Sequence, residues 1–234
     1  MTPEDEAVVA AAVPQVPQLA SYEAGQLEIS RLGGLTNLVY RVSPPGGGEA
    51  LCLRCPGEGT AAYIDRAAEC ANASAAARAG VGPEVLHFAD VGVMLMPLLP
   101  GDTLSPALFG SKPGAPSRAG VALKQLHASG ETFPSSFSLF EQIDKYLSEL
   151  GEDAKLPDGY HDVLASAQDV RAALAAHPLP SAPCHCDPLS ENFIDDGTRA
   201  WIVDFEYGGM NDPMWDLGDL IIEASLSVRS NSTV

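Results

Sequence analysis

Apolar and polar positions along the chain change texture several times, and each change predicts an element. DEAVVAAAV (5–13) has helical texture and is stopped by Pro14 and Pro17. From Tyr22 to Val42 the pattern becomes strand-like, QLEISRL then LVYRV, broken in the middle by GGLTN (33–37). SPPGGGE (43–49) reads as a turn, and ALCLRC (50–55) as a third strand. Alanine-rich 62–79 is helix-compatible and closes at Gly80. VLHFA (85–89) and VGVMLMPL (91–98) follow as short strands around Asp90. LLPGDTLSP (98–106) reads as a connector and GSKPGAPS (110–117) as a flexible loop. Helical segments are expected over 117–128, 138–150 and 161–176. After residue 177 polar residues sit between short apolar runs, as loop-borne chemistry on a rigid scaffold requires. The expected class is α+β in two parts: a strand-rich lobe with one helix over 1–97 and a mainly helical lobe over 98–234. No internal repeat is visible.

Composition narrows the partners. The chain has 234 residues and 46% hydrophobic positions, enough for a packed core. A formal charge of −18 argues against nucleic acid and anionic membrane surfaces. It suits a cationic small substrate, and equally it suits plain solubility. No apolar run reaches the roughly 20 residues that span a bilayer. The acidic opening MTPEDEAVV does not read as a leader, and five cysteines without scaffold density fit a reducing compartment. A cytoplasmic protein is expected. Cys52 and Cys55, or Cys184 with His185 and Cys186, suggest zinc only until their extended geometry is considered. Residues one or three apart on a strand face opposite sides, and buried thiols are the better reading.

Chemistry concentrates in His185-x-Asp187-x-x-x-x-Asn192, followed by Asp204 after the apolar run AWIV. In kinase-type phosphoryl transfer one Asp takes the proton of the attacking hydroxyl. An Asn five residues later and a downstream Asp then hold magnesium, a hard cation that prefers oxygen. Strands NFID and AWIV around a turn would bring Asp204 back beside the loop. For ATP, Gly33 and Gly34 let backbone amides approach phosphates, with Thr36 and Asn37 adding polar side chains. Arg54, on the third strand, offers a fork to phosphate oxygens and a partner to Glu69 on the next helix. Backbone near Met96, Pro97 and Leu98 would face adenine, with Leu98 the donor because Pro97 has no amide hydrogen. His127 reads as a packing and hydrogen-bonding residue.

These residues resemble the choline and ethanolamine kinases of the aminoglycoside-phosphotransferase-like superfamily. The resemblance runs through GGLTN (33–37), LRCPGEGTAAYIDR (53–66), MPLLPGDTL (96–104), HCDPLSEN (185–192) and IVDFEYGGMNDPMWDLGDL (202–220), roughly residues 25–225. It implies a two-lobed protein kinase-like fold and transfer of the γ-phosphate of ATP to an alcohol, with magnesium bound. It assigns Asp187 as base and Asn192 and Asp204 as metal ligands, agreeing with the spacing. It places Glu206, Tyr207 and Glu223 around a small amino alcohol, whose ammonium suits aromatic faces and carboxylates. Family members usually continue for several more helices, whereas this chain ends in SVRSNSTV soon after Glu223. That departure implies an incomplete substrate side, and leaves open a nucleotide-binding protein without catalysis. A kinase for thiamine or an aminoglycoside is the rival within the same chemistry.

Overall fold

The computed structural model describes residues 1–34, 36–60, 63–151 and 154–226; SVRSNSTV lies outside them. The first region is built on a five-stranded antiparallel sheet. Its strands are β1 (Glu28–Gly33), β2 (Leu38–Ser43), β3 (Leu51–Cys55), β4 (His87–Phe88) and β5 (Met94–Pro97), in the spatial order β1-β2-β3-β5-β4. Alternation puts Tyr40, Val42, Leu53 and Leu95 into a core closed from outside by α1 (Pro3–Ala12) and the turns after it, through Val9, Val13, Val16 and Leu19. Each such side chain, fully buried, contributes roughly 1.5–3 kcal/mol. Helix α1 starts on a capping box between Thr2 and Asp5. Asp5 also accepts from Tyr40 Oη at 2.9 Å and pairs with Arg31 at 3.0 Å.

Helix α2 (Arg66–Arg78) starts later than the alanine pattern suggests. Asp65 supplies the cap, accepting from the amides of Ala67 and Ala68, and Gly80 ends the helix at φ +74°. Its inner face meets the sheet through Ala73, Cys52, Met94 and Met96.

The second region packs helices around Phe109, Leu123, Leu126, Phe193, Ile202 and Phe205. The expected connector and flexible loop contain a helix instead. Ser105 caps α3 (Pro106–Ser111), whose first residue is proline, and α4 (Ala115–His127) begins after three residues. A proline in the first turn of a helix starts one as readily as it interrupts one, and with Pro106 and Pro116 in that position only 112–114 of the expected loop remains a turn. The connector's Asp102–Thr103 forms β6, which pairs with β8 (Phe193–Asp195), and β8 pairs in turn with β9 (Ala200–Ile202). Strands β7 (Ala182–Cys184) and β10 (Gly209–Asn211) pair antiparallel. Helices α5 (Leu139–Leu150) and α6 (Tyr160–Ala176) precede β7, and α7 (Met214–Glu223) follows β10.

Candidate active site

The segment after β7 carries Asp187, and its backbone is fixed from beneath. Asp216, on the first turn of α7 and fully buried, accepts the amide of His185 on one oxygen at 2.9 Å and that of Cys186 on the other at 2.8 Å. His127 Nε2 lies 2.7 Å from the same carboxylate. Trp215 Nε1 donates to Cys186 O at 3.2 Å. Cys186 adopts φ +67°, uncommon for a side chain with Cβ, and these bonds hold it there. Beyond the turn, Asp187 O accepts from Leu189 N at 2.8 Å and from Asn192 Nδ2 at 2.9 Å. With its amide nitrogen committed, Asn192 has Oδ1 free to face a ligand.

Two bonds join this loop to the strand that carries Asp204. Val203 N donates to Asn192 O at 3.0 Å, and His185 Nε2 donates to Val203 O at 2.9 Å. His185 is therefore a buried strut. Asp204 follows at φ +67°, turning its carboxylate away from the course of β9. The carboxyl of Asp187 is pushed above the ordinary range by burial, with Asp204 and Glu223 adding to the effect and His185 opposing it.

On the sheet side Arg54 is buried at 2% exposure and sits among three carboxylates: Glu69 at 2.6 Å, Asp204 at 2.9 Å and Glu206 at 3.3 Å. The expected Arg54–Glu69 pair is present. Arg66 joins it, at 2.7 Å from Glu69 and 3.5 Å from Glu206. Asn37, expected beside the phosphates, instead directs Nδ2 at both oxygens of Asp204, at 3.2 and 3.1 Å. Gly34 has to be glycine here, because a Cβ would lie 1.7 Å from Asn37 O at φ +104°. Thr36 packs its carbonyl onto Gly57, where an added Cβ would lie 1.9 Å away. Gly33 closes β1 at φ +148°.

Met96 lies in a narrow apolar crevice with Ala73, Val85, Val203 and Phe205, ending at Asp204. Leu98 packs on the edge of the same apolar group. Of the three residues expected around an amino alcohol, Tyr207 and Glu223 are within electrostatic reach of Asp187. The phenol of Tyr207 is pushed up to about 12 by burial, then by Glu206, Tyr63 and Asp187. Glu223, at the exposed end of α7, influences both Asp187 and Asp219. Glu206 does not share that position: its carboxylate, 3% exposed, is turned to Arg54 and Arg66 because two buried cations need a third carboxylate.

Four residues of the site carried no role in the sequence reading: Arg66, Asn72, Asp216 and Asp219. The carboxyl of Asp219 is pushed up to about 6 by burial, then by Asp187 and Glu223. The string DPMWDLGDL contains both aspartates, and helical spacing from Asp216 to Asp219 was the available signal.

Residues 28–231 match the phosphotransferase enzyme family (APH). The chain belongs to that family. A choline/ethanolamine kinase family protein from Mesorhizobium loti is 52% identical and superposes with a TM-score of 0.84, over 96% of this chain and 72% of that one. The choline kinase LicA of Streptococcus pneumoniae is 28% identical with a TM-score of 0.72, over 86% and 71%. Protein LicA of Haemophilus influenzae is 28% identical over 210 residues, and the chain spans 59% of its length. The family has the two-lobed protein kinase-like fold, an antiparallel sheet lobe followed by a helical one, and this chain has it too.

Proposed function

We propose that this phosphotransferase uses ATP and magnesium to transfer the γ-phosphate to the hydroxyl of a small cationic amino alcohol, choline or ethanolamine. One observation carries the reading. The loop bearing Asp187 and Asn192 and the turn bearing Asp204 are bonded to each other through Val203, which supports reading their three oxygen-bearing side chains as one site. Asp187 is the base: its burial and acidic neighbours favour taking a proton, and it stands with Tyr207, Asp219 and Glu223 where a cationic alcohol would lie.

The donor set fits magnesium. Asn192 Oδ1 and the carboxylate of Asp204 are hard oxygen ligands of the kind magnesium prefers, while the imidazole of His185 is turned to Val203 O. When bound, the ion neutralises charge on the phosphates and on the oxygen leaving them. Gly33, Gly34 and Thr36 line the phosphates, Arg54 contributes its guanidinium with Glu69 fixing it, and Met96 and Leu98 border adenine. Asn37 acts by holding Asp204. The lobes divide at Pro97, where β5 leaves the sheet. Among the described residues no helix is long and apolar enough to cross a membrane, and we place the protein in the cytoplasm. The similarity to choline/ethanolamine kinase family proteins supports the acceptor class, as does a net charge of −18.

Release of ADP, measured with choline, ethanolamine, thiamine and kanamycin in turn, tests this. Turnover is expected with choline or ethanolamine. Turnover with only thiamine or kanamycin would reassign the acceptor, and ATP binding without turnover on any alcohol would remove catalysis from the reading.

A further inference from the structure

Asp204 does not hold its own position. At φ +67° it opens a turn running to Gly208, whose carbonyls face inward toward α2. Buried carbonyls need donors; Ser135 Oγ reaches Gly208 O at 3.2 Å, and one side chain of α2 reaches both Gly208 O and Phe205 O. Asn72, 1% exposed on α2, directs Nδ2 to Gly208 O at 2.7 Å and to Phe205 O at 3.3 Å. Phe205 O also closes the turn by accepting Gly208 N at 3.1 Å. The approach is tight, since a Cβ on Gly208 would lie 3.0 Å from Asn72 Nδ2 and 3.2 Å from Phe133.

One helical turn before Asn72, Glu69 reaches the same segment by another route, through Arg54 to the carboxylate of Asp204. Helix α2 thus grips the turn twice, by its backbone at Asn72 and by its leading side chain at Glu69. We infer that Asn72 is a positioning residue for the metal-binding carboxylate, fixing the 204–208 turn to α2 so that Asp204 and the Arg54–Glu69 pair move as one body. Asn72 is buried and does not line the crevice. The inference rests on the proposed role of Asp204, and it predicts an effect on the metal in particular.

The test uses the full chain and Asn72→Leu, which keeps the volume and removes both donors. Magnesium is titrated against binding of a fluorescent ATP analogue. The half-saturating magnesium concentration is expected to rise roughly 10- to 100-fold, the usual consequence of removing a residue that orients a ligand. Excess magnesium should restore the rate, the KM for the alcohol should stay within about twofold, and amides 205–209 should exchange faster. An unchanged magnesium requirement, or a loss shared equally by every constant, overturns the inference. Should Asn72→Leu fail to fold, Asn72→Ser keeps one donor and is expected to fall between the two, whereas parity with wild type counts against the claim. Wild-type protein that binds the nucleotide without magnesium would overturn the metal role of Asp204 itself, while exchange at 205–209 would still report on the Asn72 bonds.

Discussion

The loop over residues 184–187 and the helical pair α5–α6 lie in the same lobe and obey opposite rules. The loop has little regular structure, yet Cys184, His185 and Cys186 are buried and every strut beneath them is a buried polar bond. The helices are long and regular, and neither has a buried residue. They hold each other through Arg171, 2.9 Å from Asp144 and stacked 5.5 Å over Phe140. Val163, Val170 and Leu174 are half exposed or more. Regular secondary structure therefore does not locate rigidity in this molecule. Buried hydrogen bonds do, and they surround the residues proposed for chemistry.

The most damaging way to probe the rigid side is at Asp187. Asp187→Asn should lower turnover about 10²- to 10⁴-fold, because general base catalysis is lost, while ATP affinity stays near wild type. A variant that turns over normally would take Asp187 out of the mechanism. Next comes Asp216→Ala, which leaves the amides of His185 and Cys186 without an acceptor in a buried place. Each buried orphan costs about 1–3 kcal/mol, so thermal unfolding should report a loss of about 3–5 kcal/mol for the variant. Turnover should fall by as much as about 10²-fold through misplacement of Asp187. His127→Ala removes one of the three bonds to that carboxylate and should be milder. If Asp216→Ala melted like wild type, the loop would owe its shape to something else.

The same contrast explains what could be read from the chain. Asp187, Asn192 and Asp204 could be proposed because a fixed order and spacing accompany phosphoryl transfer, and the sheet was legible because apolar alternation marks its strands. Asp216 and Asn72 were not, since an aspartate or asparagine bonded to distant backbone has the same local sequence as one capping a turn. The family resemblance put Glu206 beside the amino alcohol together with Tyr207 and Glu223. Adjacent residues of an extended turn point apart, and its carboxylate followed the buried arginines. Helix α5 shows the converse: its amphipathic pattern is clear, but a pattern says which face is apolar and not whether anything covers it.

A gentler probe uses charge. Glu223 raises the pKa of Asp187 together with burial and Asp204, so the base should be protonated at a higher pH than an ordinary aspartate. Activity that needs the ionised form is lost as pH falls through that raised pKa, which sets the acid limb of kcat/KM. Glu223→Gln removes one source of the elevation, and the limb should move toward lower pH with little change in stability. A limb that stays in place would mean that Glu223 does not act on Asp187.

The smallest effect is expected at Arg171, and it is the one that tests the flexible side. Its side chain is 39% exposed and that of Asp144 is 52% exposed, so water screens most of their attraction. Stacking over Phe140 adds at most about 0.5–1 kcal/mol at so open a position. Arg171→Ala should therefore cost under about 1 kcal/mol and leave kcat and both KM values unchanged, because among the described residues no hydrogen bond or ion pair links α6 to the loop at 184–187. Amides of α5 and α6 should exchange faster than those of 185–187 in wild type and variant alike. If the substitution lowered turnover severalfold, the helical pair would have to bear on the position of Asp187, and the separation of a rigid catalytic base from a loosely held helical flank would fail.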